Sequence, residues 1–142
     1  MTSIIEPARF PEQADEVRAI LREYARSLNF ELCFQSFEAE LVALPGKYAP
    51  PHGRCLLAIS QGSLAGVVAL RPLDEHACEM KRLFVRPAHR GSGLGRRLAE
   101  AIISEARICG YRAMRLDTVA QMVAAQGLYL DLRFRDIPAY YP

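Results

Sequence analysis

The chain has 142 residues, 51% of them hydrophobic, and a formal net charge of +2 at pH 7. That length suits a single domain with one core over residues 1–142; the composition excludes a disordered chain, and the near-neutral charge excludes a protein whose whole surface binds polyanions. No apolar run reaches the roughly 18 residues a membrane helix needs.

Met1-Thr2-Ser3-Ile4-Ile5-Glu6 lacks the basic and apolar regions of a signal peptide, so a cytoplasmic protein with no membrane partner is expected. The first predicted element is a short strand at Ile4-Ile5, before Pro7. From Pro11 the pattern turns helical, with Val17, Ile20, Leu21, Tyr24 and Leu28 on one face and Asn29 as the stop. A second helix carries Phe34, Phe37, Leu41 and Leu44 and ends at Pro45-Gly46. Lys47 to Arg54 reads as loop because it holds Pro50, Pro51 and Gly53.

Cys55 to Ser60 and Leu64 to Leu70 form a predicted hairpin around Gln61-Gly62. Asp74-Glu75-His76 connects to a third consecutive strand, Cys78 to Val85. A loop follows, then a helix from about Leu94 to Cys109, closed by Gly110. Ala113 to Thr118 is the next strand. Met122, Ala125, Leu128, Tyr129 and Leu132 mark a last helix, and Phe134 to Ile137 a last short strand. The order β-α-α-β-β-β-α-β-α-β predicts an α/β fold: a mixed sheet with helices on both faces.

The cysteines, Cys33, Cys55, Cys78 and Cys109, are widely spread and show no C-x-x-C spacing. They are expected to be reduced, mostly buried thiols, and no metal site is expected.

Two features stand out against this background. Lys81, Arg82, Arg86, Arg90, Arg96 and Arg97 lie close together with no acid between Lys81 and Ala99. Such a run is either a solvated face or a patch that meets a small phosphorylated ligand. It lacks the interleaved aromatics of a nucleic-acid surface, so no nucleic-acid partner is expected. Within it, Arg90-Gly91-Ser92-Gly93-Leu94-Gly95 follows a strand and opens a helix. Glycines permit positive φ and close backbone approach, and the first helical turn offers unpaired N–H groups and the positive end of the helix dipole. Those amides can hold a pyrophosphate. No Walker A run exists. A dinucleotide fingerprint is interrupted by Arg96 at its third glycine, although Asp117 sits near the place of a ribose-binding acid.

The Arg90–Gly95 run matches the signature of the GNAT acetyltransferase superfamily: Arg or Gln, two residues, Gly, one residue, then Gly or Ala. The approach strand Met80-Lys81-Arg82-Leu83-Phe84-Val85-Arg86-Pro87 and the later Leu128-Tyr129-x-x-Leu132-x-Phe134 also resemble that family. The resemblance implies acetyl-CoA as cosubstrate, without a metal. It implies a strand that splays from its neighbour, with the pantetheine arm on the backbone of Leu83, Phe84 and Val85. The pyrophosphate then falls to Arg90, Gly91, Ser92, Gly93, Leu94, Gly95 and Arg96. The implied reaction is direct attack of a primary amine, from a small molecule or a peptide, on the thioester. Glu79 is the candidate base, directly or through water, and Tyr129 the candidate acid. Strand alternation puts Glu79, Lys81, Leu83 and Val85 on one face. His52, His76 and His89 are weaker candidates. The first two helices, the Pro45–Gly53 loop and the last segment, with Phe30, Phe34, Phe37, Tyr48, Tyr140 and Tyr141, are expected to build the acceptor side. The alternative class is a non-catalytic acyl-CoA-binding module.

The sequence departs from that family in three places. Met122 replaces a helix-start asparagine, and Arg133 replaces the glycine before Phe134. The family's terminal strand has no counterpart before Pro142. The edge thus left open predicts a homodimer.

Overall fold

The computed structural model describes residues 3–28, 34–116, 128–130 and 132–135, with residues 34 and 35 as backbone alone. Its described elements are β1 (Ile4–Pro7), α1 (Ala14–Ser27), α2 (Phe34–Ala43), β2 (Arg54–Ser60), β3 (Ser63–Pro72), β4 (Ala77–Val85), α3 (Leu94–Ile108) and β5 (Ala113–Arg115). Short 3-10 turns occupy Gly46–Tyr48 and Pro87–His89.

The strands lie side by side in chain order. Neighbours from β1 to β4 are antiparallel because tight turns join β2, β3 and β4. Gln61 (φ 52°) and Gly62 (φ 80°) both take positive φ, as a two-residue hairpin turn matching strand twist requires. Asp74 fixes the next turn by accepting the N–H groups of His76 and Ala77 at 2.7 and 2.8 Å. The crossover through α3 makes β4 and β5 parallel.

Two clusters form the core, one on each face of the sheet. On one face α3 lays Leu94, Leu98, Ala99 and Ile102 on Leu56, Val68, Leu70, Cys78 and Met80. On the other, Val17, Ile20 and Leu21 of α1 and Phe37 and Leu41 of α2 cover Cys55, Leu57, Val67, Ala69 and Phe84. Of the positions expected to face inward, Val17, Ile20, Leu21, Phe37 and Leu41 are buried and Tyr24 and Leu44 pack partly buried against them, Leu28 joins neither cluster, and the Phe34 side chain lies outside the described residues. Burial of Val17, Ile20 and Leu41 is complete, which stabilises by roughly 1.5–3 kcal/mol per side chain. Gly66 lets α3 approach β3: a Cβ there would lie 2.8 Å from Leu98 Cδ1.

One strand breaks its own alternation. Val67 pairs with Phe84 but Ala69 pairs with Lys81, so Arg82 and Leu83 together oppose Val68. Arg82 takes φ 65° in this β-bulge. Cys78 and Met80 face α3, and so do Leu83 and Val85. Glu79 and Lys81 alternate with the first pair and face α1 and α2. The expectation that Glu79, Lys81, Leu83 and Val85 share one face is therefore overturned: the extra residue reverses the parity.

Leu128–Leu130 is helical, as expected for the last helix, and Phe134 and Arg135 lie in irregular backbone rather than in the expected strand. The rest of that strand, and Phe30, Cys33, Asp117, Met122, Tyr140 and Tyr141, fall outside the described residues.

Candidate functional site

The site is organised around β4. β5 pairs with it only through Ala77, Cys78 and Glu79. Beyond Glu79 no described strand is paired to that edge; the chain after Leu116, where a splay from β4 is expected, lies outside the described residues. Leu83 and Val85 are half-buried and Phe84 is buried. The Val85 carbonyl already accepts a 2.8 Å hydrogen bond from Arg90 Nε, and the Arg90 guanidinium lies 5.4 Å over the Phe84 ring.

Glu79 is the last β4 residue paired with β5 among the described residues, and only 1% of it is exposed. A buried carboxylate needs charge compensation, and the neighbouring strands provide it. Arg71 of β3, its register partner, donates from Nε to Oε1 at 2.8 Å. Lys81 Nζ is 3.8 Å from the same oxygen. Arg115 is the register partner on β5. Arg71 and Arg115 are functional neighbours that sequence reasoning missed. Period-2 alternation around Leu70 and Met114 was the available signal, but it needs the strand register to become a contact.

The basic run divides into two parts. Arg82 makes a two-pronged bond to Glu40 of α2, at 2.8 and 3.0 Å, and lies over the rings of Tyr24 and Phe37. Tyr48 donates its hydroxyl to Glu40 at 2.9 Å. Burial alone would raise the Glu40 carboxyl, but the hydrogen bond and charge of Arg82 outweigh it and hold the group below its ordinary value. Arg86 makes the same kind of pair with Glu23 of α1, at 2.7 and 2.9 Å. These two arginines fasten the helices to β4 and are not available to a ligand's phosphates in this arrangement.

Arg90 and Arg96 remain exposed beside the glycine turn. Gly91 (φ 88°) and Gly93 (φ 79°) take the left-handed conformation, where any other L-residue is strained. Nothing lies within 4 Å of where their Cβ atoms would be, so the turn is open to approach. Gly93 opens α3 with no side-chain cap, which leaves the first-turn amides for an anion. Leu94 anchors the turn in the core, and Ser92 donates to the His89 carbonyl at 3.0 Å. Gly95 has an ordinary helical conformation with room for a methyl group. This turn fits a pyrophosphate.

Tyr129 is buried and meets the edge of Phe134 with ring centroids 5.8 Å apart. Burial, then neighbouring Tyr24, pushes its phenol up to about 12. The turn behind it survives the loss of glycine. Arg133 takes φ 74°, and Phe134 N–H bonds back to Tyr129 O at 2.9 Å while Arg133 N–H bonds to Leu130 O at 3.0 Å. This is a Schellman closure with its usual apolar contact. The exposed His52 belongs elsewhere: its carbonyl accepts from Tyr111, which follows the far end of α3. Among the described residues no group of three His, Cys, Asp or Glu is placed to hold a metal.

Residues 14–134 match the model of the acetyltransferase (GNAT) family. An N-acetyltransferase of Schizosaccharomyces pombe is 37% identical over 139 residues, covering 96% of this chain and 85% of that protein. The fold is similar to a predicted acetyltransferase of Clostridium acetobutylicum crystallised with acetyl-CoA (TM-score 0.83, 12% identity, 99% of this chain and 95% of that one). It is also similar to AAC(6')-Iy in complex with the bisubstrate analogue CoA-S-monomethyl-acetylneamine (TM-score 0.75, 17% identity, 100% and 98%).

Proposed function

The chain belongs to the GNAT acetyltransferase family and is an N-acetyltransferase, and from that premise we propose that it moves an acetyl group from acetyl-CoA to a primary amine of a small molecule or peptide. The observation that carries this reading is the open glycine turn that follows β4 and starts α3, with Gly91 and Gly93 in the left-handed conformation and no side-chain cap on the first-turn amides. Gly91, Ser92, Gly93, Leu94, Gly95, Arg90 and Arg96 would hold the pyrophosphate, and Leu83, Phe84 and Val85 the pantetheine arm. With the Val85 carbonyl engaged by Arg90, pairing falls first on Leu83 and Phe84. Bound acetyl-CoA supplies an acyl carbon activated by its thioester.

Glu79 takes the amine's proton, and it does so through water. Its side chain is almost wholly buried and Oε1 is already held by Arg71. Tyr129 acts at the sulfur. A thiol titrates at about 8.5, so handing over a proton from a phenol near 12 is uphill by about 5 kcal/mol. Tyr129 therefore donates a hydrogen bond to the departing sulfur without giving up its proton.

The test follows thiol release from acetyl-CoA across a panel of primary amines. Glu79→Gln is expected to lower kcat on the order of 100-fold or more, and Tyr129→Phe by about 10- to 100-fold. Tight acetyl-CoA binding with no thiol release from any amine would replace the enzyme reading with that of a binding module.

A further inference from the structure

Lys81 lies on β4 two residues after Glu79 and before the bulge, so the two side chains share the face toward α1 and α2. Its ammonium is half-buried and sits 3.8 Å from Glu79 Oε1, too far for a hydrogen bond. The same oxygen is held more closely by Arg71. The nearby Glu40 is occupied by Arg82 and Tyr48. Among the described residues no hydrogen-bond acceptor is in reach of Lys81 Nζ. Burial first, and then the charges of Arg82 and Arg71, weaken its hold on its proton, with Glu79 and Glu40 opposing. A partly desolvated cation with three free donors is costly unless something anionic completes it.

We propose that Lys81 docks a carboxylate of the acceptor, so that the preferred acceptors are amines bearing a carboxylate next to the reacting nitrogen, the α-amino-acid class. This rests on the acetyl-transfer reading above. Lys81 Nζ lies 3.8 Å from Glu79 Oε1, so a carboxylate held at the ammonium carries an adjacent amine toward the water that serves Glu79. Lys81 is then a specificity-determining residue. A purely cationic acceptor brings its second charge against Lys81 and is disfavoured.

The experiment measures kcat/KM for amino acids and their matched carboxamides with wild type, Lys81→Gln and Lys81→Arg. A hydrogen-bonded charge pair predicts that Lys81→Gln lowers the acid-to-amide preference by on the order of 10- to 100-fold, chiefly through KM. Lys81→Arg keeps the charge and should keep most of the preference. Turnover of the carboxamides by Lys81→Gln shows that the variant folds. An acid-to-amide ratio unchanged by Lys81→Gln overturns the inference and leaves the acetyltransferase reading standing, as does acetylation of neutral amines alone. Thiol release with no amine of any kind overturns both.

Discussion

The pair between Glu40 and Arg82 should be worth several times an ordinary surface salt bridge. Arg82's side chain is 10% exposed and Glu40's 21%, and the guanidinium is gripped by both carboxylate oxygens. Glu40→Ala leaves a nearly buried cation on the bulge, beside the Tyr24 and Phe37 rings, without its carboxylate partner. Breaking one side of a buried pair costs about 3–5 kcal/mol, and the residual exposure of Glu40 argues for the lower end. Urea unfolding followed by circular dichroism should lose about 1.5 M in midpoint. The combined Glu40→Ala/Arg82→Leu variant removes the orphaned charge, so it should be less destabilised than the sum of the two singles by about 1–3 kcal/mol. The same network makes a pH prediction. Glu40's carboxyl is lowered in the folded state, so its stabilisation is fully present above the unfolded value and is lost as pH falls through the folded one. Glu40→Gln should flatten the acid limb of the stability curve. Because Arg82 sets the bulge that turns Leu83 and Val85 toward α3, Glu40→Ala should also raise the KM for acetyl-CoA. Single variants each within about 0.5 kcal/mol of wild type, and additive in the double, would refute this account.

Three further outcomes are expected. Arg133→Gly relieves a left-handed arginine and should stabilise the fold by about 1 kcal/mol, read as a higher melting temperature. Gly93→Ala should destabilise by about 1–2 kcal/mol and raise the KM for acetyl-CoA, whereas Gly95→Ala meets only Val85 Cγ2 at 3.8 Å and should be neutral or stabilising in the same melt. Burial, with Glu40 second, pushes the Cys55 thiol up to about 12, and burial, with Cys109 second, pushes Cys78 up to about 11. Iodoacetamide at pH 8 should leave both unlabelled in the native protein and modify both in urea, as peptide mass mapping would show.

The chain's own local patterns determined much of this molecule. Helical spacing marked Val17, Ile20, Leu21 and Leu41 as core. Gln61-Gly62 marked the hairpin, and the run from Arg90 to Gly95 marked the open glycine turn that starts α3, since each depends on residues within a few positions of one another. The family followed from that run together with its flanking strand and helix. Other features were decided only by the assembled sheet. The bulge at Arg82 reversed the facing of Leu83 and Val85, because pairing against β3 inserted a residue that no alternation in β4 announces. Two of the six cations in the basic run, Arg82 and Arg86, proved to be spent on Glu40 and Glu23, which come from helices far earlier in the chain. Arg71 and Arg115 became neighbours of Glu79 through strand register. Sequence periodicity records which residues avoid water, but it does not record which charges meet. That depends on contacts between distant segments, and in this protein those contacts fix the surroundings of Glu79.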